Sequence, residues 1–233
     1  MTTVVTIAHN ESYILPFFVN HYREFADRIV IYDNQSTDNT AKIAKRLGCE
    51  VVDYQSEGCD RRGQTALQNT FVKQFKEANW LVVVDTDEFL YHSDIKQLLS
   101  TAYVNNYSAF RTEGFEVISE AKPVNGVPIY KQITARVKAV AYSKMAIFAP
   151  KLINETNYGR GRHFWQPTGI VKYYPEPLKL LHCKWVGGLD RVLKKHSEYM
   201  NRITLPTSVN GLYEDQNTRA YYEYLRKAST KLL

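Results

Sequence analysis

The 233-residue sequence lacks most of the features that would take it outside the ordinary globular class. It has three cysteines, Cys49, Cys59 and Cys183, widely spaced and without a Cys-x-x-Cys pair. That argues against a disulfide framework or a zinc site and favours a reducing compartment. Its longest apolar runs reach about five residues, far short of the ~20 that a membrane-spanning helix needs. The start, Met1-Thr2-Thr3-Val4, has neither the basic residues nor the apolar stretch of a signal peptide. A soluble, cytoplasmic protein is expected, with peripheral membrane contact left open. There is no Ser/Gly/Pro-rich linker and no internal repeat, so 1–233 reads as one domain. The charge excess is only +6, with no run of five basic residues and no RNA-binding signature. No nucleic-acid partner is therefore expected.

What is present is a core-forming composition, 44% hydrophobic and 13% aromatic, in a chain long enough to fold without staples. Residues 1–106 alternate strand and helix signals. Val4–Ala8, Arg28–Asp33, Glu50–Tyr54 and Trp80–Val84 are near-continuous apolar runs, the pattern of buried strands. Helical spacing falls between them: Leu15 to Phe25, Ala41 to Leu47 closed by Gly48, and Gln64 to Ala78. The pattern predicts an α/β fold with a mostly parallel central sheet flanked by helices. Residues 107–233 shift to short β-runs broken by Pro and Gly, an antiparallel or irregular extension, and end in helices near Leu189–Arg202 and Glu214–Lys227.

Asp85-Thr86-Asp87 is the strongest local feature, two carboxylates at the end of a buried strand. Hard divalent ions such as Mg²⁺ or Mn²⁺ prefer oxygen ligands and fill their shell with water and substrate phosphates. The bland alternative is that the pair caps a helix near Ser93–Leu99. Asp33-Asn34-Gln35-Ser36-Thr37-Asp38 ends the second strand, where a carboxylate can accept from a base or ribose; the alternative is an ordinary capped turn. Ligands of open parallel sheets bind beyond the carboxyl ends of the strands, which predicts one crevice for Asp33 and Asp85.

Together with Ala8-His9-Asn10-Glu11, Ile153 to His163 and Leu180-Leu181-His182-Cys183-Lys184-Trp185, these motifs resemble the family-2-like glycosyltransferases of the GT-A fold. Small bacterial and viral members carry similar late His motifs, and the resemblance covers roughly 1–200. It implies a nucleotide-sugar donor, most simply a UDP-sugar, a glycan or other hydroxyl acceptor, and Mn²⁺ or Mg²⁺ as cofactor. It places 1–106 as the nucleotide-sugar half and 107–233 as the acceptor half. By position it implies that Ala8, Glu11 and Asp33 line the base and ribose. Asp60, Arg61 and Arg62 would stand beside base and phosphates, with Thr86 and His163 also at the donor. Asp85, Asp87 and His182 would hold the metal.

Lys144, Arg160, Arg162 and Lys172 are candidates to neutralise a leaving diphosphate. His21, His92 and His196 read as surface or satisfied core residues. An acceptor-activating base should be a carboxylate in the same crevice, and Glu113 and Glu116 are the candidates. They are three residues apart, so on a strand only one can face the site. A sugar nucleotidyltransferase is the enzymatic rival, disfavoured by the absence of glycine in Ala8–Glu11. A non-catalytic carbohydrate- or nucleotide-binding module is the other.

Overall fold

The near-continuous apolar runs of the first strands give a sheet that is buried on both faces. The computed structural model describes residues 1–56, 60–133, 135–202 and 215–231. Its first half runs β1 (Thr2–Ala8), α1 (Leu15–Arg23), β2 (Arg28–Asn34), α2 (Thr40–Arg46), β3 (Glu50–Tyr54), α3 (Arg61–Gln74) and β4 (Trp80–Val83). There follow β5 (Glu88–Tyr91), α4 (Ile95–Val104), β6 (Thr112–Ser119), α5 (Ile129–Gln132), β7 (Ala135–Lys138) and β8 (Ile147–Phe148). The remainder is β9 (Ile153–Glu155), β10 (Thr168–Gly169), β11 (Leu178–Val186), α6 (Leu189–Met200), α7 (Asp215–Ala228) and β12 (Thr230–Lys231).

The first sheet has the order β3-β2-β1-β4-β8. Its first four strands are parallel and β8 is antiparallel. Val4, Ile31, Val82 and Val84 pack on one face with Leu15, Phe18 and Val19 of α1. Val5, Val30, Tyr32, Leu81 and Val83 pack on the other with Phe71 and Val72 of α3. The period-two pattern thus feeds two cores. Gly48 has φ +73°, the left-handed residue that closes α2.

The extension is a second five-stranded sheet, β12-β7-β6-β11-β5. Among the described residues, only β8 continues the first sheet. In the second, β6 and β11 are parallel and β5 and β7 antiparallel to their neighbours. The chain after the acidic motif therefore enters a strand, not a helix. β5 carries it away, and Asp94 rather than Asp85 or Asp87 caps α4, accepting from the Gln97 N–H at 3.2 Å. Likewise α3 starts at Arg61, three residues before its apolar spacing begins, because Asp60 caps it. Cys49 and Cys183 are buried thiols; Cys59 and Glu214 lie outside the described residues. No helix among the described residues is long and apolar enough to cross a membrane.

Candidate active site

The carboxyl ends of β1 and β4 open into a cavity of about 370 Å³, closed from the other side by β11 and α6. Ala8 and Glu11 line it from β1 and its following turn, Asn34 from β2, and Asp85, Thr86 and Asp87 from the turn after β4. His182 and Lys184 enter from β11 and His163 from the loop before β10.

Asp87 and His182 meet on the cavity wall, with Asp87 Oδ2 3.5 Å from His182 Nε2. Behind the ring, Nδ1 is 2.9 Å from Oε2 of Glu116, which is fully buried. Parallel pairing of β6 and β11 sets His182 opposite Glu116. The Tyr142 ring stacks on the imidazole at 3.9 Å. Its turn can approach β6 this closely because residue 114 is glycine; a Cβ there would stand 2.5 Å from the Tyr142 carbonyl carbon. Burial opposes the imidazolium, but Glu116 and Asp87 outweigh it and lift His182 to about 10. Burial would also raise the Asp87 carboxyl, yet the facing His182 holds it below the usual range.

Asp85 is held differently. Its Oδ2 lies 3.0 Å from Arg162 Nη2 and 3.3 Å from Lys144 Nζ. Both cations also bind the buried Glu88. They keep the Asp85 carboxyl ionised below its ordinary range in spite of its desolvation.

Among the described residues no three His, Cys, Asp or Glu side chains converge as a metal cluster. The trio Asp85, Asp87 and His182 is thus divided, because Arg162 and Lys144 draw Asp85 away. The remaining pair still fits a hard divalent ion. Two neighbouring ligands at about 2.1 Å from such an ion stand about 3 Å apart, close to the 3.5 Å found. Water or substrate phosphates would have to complete the shell.

The other positions sort by geometry. Asp33 is paired in register with Ala8, one strand removed from β4 because β1 lies between them. It does not line the cavity; its Oδ2 accepts from the Ser36 N–H, and its buried Oδ1 has no hydrogen-bond partner among the described residues. Glu11 is ion-paired with Lys195 of α6. Asp60 caps α3 and Arg62 is outside the lining; Arg61 is the arginine of that turn that faces the cavity, with Nε 2.6 Å from the Tyr199 hydroxyl. The Nδ1 of His163 is held by the Ala141 carbonyl at 2.6 Å. Glu113 points outward to Lys138. Glu116 lies beneath His182, so neither candidate base reaches the cavity. Of the candidate diphosphate cations only Lys144 lines it. Arg162 is buried under Asp85, and Lys172 is tied to the Asn105 carbonyl.

Sequence reasoning missed the α6 wall, Arg191, Lys195, His196 and Tyr199, and Tyr142. The i, i+4 spacing of Arg191, Lys195 and Tyr199 puts them on one helix face, a signal present in the sequence but without a stated partner. His196 is bonded to Thr218 of α7 at 3.1 Å and is depressed to about 3 by burial.

A mostly parallel sheet with its polar ends gathered at one cavity defines an α/β protein whose ligand site lies beyond the strand ends. The model of glycosyl transferase family 2 matches residues 3–149, well over half of the chain. The chain belongs to that family. It is similar to an uncharacterized glycosyltransferase of Rickettsia prowazekii, 27% identical over 108 residues, covering 45% of this chain and 35% of the relative. A Rickettsia bellii glycosyltransferase is 28% identical over the same shares of the two chains. The match thus spans about a third of the length of these curated relatives. Among solved structures, S. aureus TarS 1–349 in complex with UDP is similar over 97% of this chain and 73% of its own, at 13% identity and TM-score 0.49. Glucosyl-3-phosphoglycerate synthase from Mycobacterium tuberculosis, with Mn²⁺ and UDP, is similar over 50% and 44%, at 18% identity and TM-score 0.32.

Proposed function

We infer that this domain moves a glycosyl group from a nucleotide-sugar, of the UDP type, to a hydroxyl acceptor such as a glycan. The observation that carries the reading is the Asp87–His182 pair facing a cavity whose far side is built from Ala8, Glu11 and Asn34 at the strand ends. In this reading the nucleoside lies along the ends of β1 and β2. Asp33, paired with Ala8 and with an unfilled buried Oδ1, would accept from the base or ribose where the nucleoside reaches past the cavity lining to the end of β2. Mn²⁺ or Mg²⁺ at Asp87 and His182 would neutralise the leaving diphosphate. Glu116 fixes His182 with Nε2 toward the cavity, and His163 and the Asp85-bound Lys144 also line it. Family membership supports the transfer chemistry; the donor type and acceptor follow from the family resemblance, and the cation site from the Asp87–His182 pair.

The test is to incubate the chain with UDP-glucose, UDP-galactose and UDP-N-acetylglucosamine in Mn²⁺ and to measure free UDP. Slow release that EDTA abolishes is expected with at least one donor. Binding without turnover across donors and acceptors, or full turnover in EDTA, would overturn the reading.

A further inference from the structure

The loop that brings Gly161 and His163 to the cavity wall sends the residue between them inward. Arg162 is 1% exposed, and its Nη2 lies 2.6 Å from Glu88 Oε2 and 3.0 Å from Asp85 Oδ2. Lys144, on a separate segment, reaches the same two carboxylates. It is itself fixed by a reciprocal pair of bonds between its backbone and the Thr112 hydroxyl, 2.6 and 2.8 Å. Glu88 is fully buried and also accepts the Asp85 backbone N–H at 3.0 Å, so it closes the turn that carries Asp85. Two cations and two carboxylates balance. Asp85 and Lys144 both line the cavity, but Asp85 is the one of the four whose side chain is largely exposed, 47%.

Arg162 is held at a cost. Its backbone is left-handed, φ +58°, which disfavours a residue with a Cβ by about 1–2 kcal/mol. Its buried Nε and Nη1 have no hydrogen-bond partner among the described residues. Buried ion pairs seldom outdo apolar packing as a source of stability, and strained residues persist where the surroundings enforce them, often at functional sites.

We propose that Arg162 and Lys144 are positioning residues for the nucleotide site. With Glu88 they fix the Asp85 carboxylate at the end of β4, and Arg162 pins the Gly161–His163 wall to the same point. Neither acts on the leaving group directly. The proposal rests on the nucleotide-sugar reading of the cavity and concerns affinity for the nucleotide.

The experiment measures UDP affinity by calorimetry in Mn²⁺, and melting temperature, for the wild type, Arg162→Met, Arg162→Lys and the double variant Arg162→Met/Glu88→Gln. The single Met variant leaves a buried carboxylate under-compensated and is expected to melt early. The double variant removes one charge of each sign at similar volume and is expected to melt near the wild type. UDP affinity in the double variant is nevertheless expected to fall at least tenfold, with Arg162→Lys in between. A double variant that regains both melting temperature and wild-type affinity makes the cluster merely structural and overturns the proposal. Should the double variant fold poorly, Arg162→Lys measured well below its melting temperature decides: a loss of threefold or more supports the positioning role, and unchanged affinity overturns it. A wild type that binds no UDP overturns the reading of the cavity itself, which is a distinct outcome from equal binding by all four proteins.

Discussion

Asp85 and Asp87 stand two residues apart on one turn, and their charges are held in different ways. Around Asp85 two carboxylates meet two cations, Arg162 and Lys144, in a closed and balanced group. Around Asp87 two carboxylates, its own and that of Glu116, share the single imidazole of His182. Asp87 faces the cavity, where Lys195 and Lys144 act on it from farther away than the imidazole. An Asp-x-Asp motif is therefore not a symmetrical claw. The arm clamped by two buried cations is suited to hold a fixed position, and the arm resting on one imidazole at the cavity wall is the freer of the two.

The largest expected effect breaks the open arm. Asp87→Asn should lower Mn²⁺-dependent UDP release at least a hundredfold while shifting the melting temperature by no more than a few degrees, because the residue lines a cavity rather than a core. Comparable turnover in the variant would place the cation elsewhere.

Removing the ring behind it should cost less. His182→Gln should reduce turnover at least tenfold and change the pH dependence of stability in metal-free protein. His182 is lifted to about 10 in the fold, against about 6.5 in the unfolded chain. Its contribution is complete below about pH 6.5 and disappears as the pH rises to about 10. Thermal melts in EDTA should thus show the wild type losing stability over that window and the variant losing less of it. His196, at about 3 in the fold, has the opposite sign and should weaken the protein as the pH falls below about 6.5.

A smaller effect is expected at the nucleoside end. Asp33→Ala should weaken UDP binding by about 1–3 kcal/mol, the usual loss for a charged hydrogen-bond partner, with kcat little changed. Calorimetry that found an unaltered dissociation constant would remove Asp33 from the site. The smallest effect is expected outside the comparison: Glu113→Gln breaks an exposed pair with Lys138, worth about 0–1 kcal/mol, and turnover should stay within twofold. A larger loss would mean that the outer face of β6 takes part in the reaction.

Much of the first sheet was legible because local pattern and tertiary burial agree there. Val4, Val30 and Val82 lie in apolar runs that only a doubly covered strand can use, and Gly48 marks a helix end by its backbone freedom. The second half was less legible. Strands as short as Ile147–Phe148 carry no period to read, and which sheet a strand joins depends on partners distant in sequence. At the site, Asp87 and His182 were visible as residue types in suggestive places. Glu116 was visible only as one of two carboxylates on a strand. Arg162 was misplaced, because a Gly-rich basic loop reads as exposed, and nothing local signals that Glu88 and Asp85 will draw its guanidinium inside.

The sequence by itself determined which segments become strands of the parallel sheet, and that acidic residues would end β2 and β4. Both follow from the spacing of apolar side chains over a few residues. Only the tertiary structure decided that β1 separates Asp33 from Asp85, that α6 closes the cavity over Glu11, and that Asp85 and Asp87 part company. The first depends on which strands pair, and the other two on charges brought together across 56 to 184 positions of chain, as between Glu88 and Lys144 or Glu11 and Lys195. A Coulomb interaction depends on distance in space, and no local pattern encodes that distance.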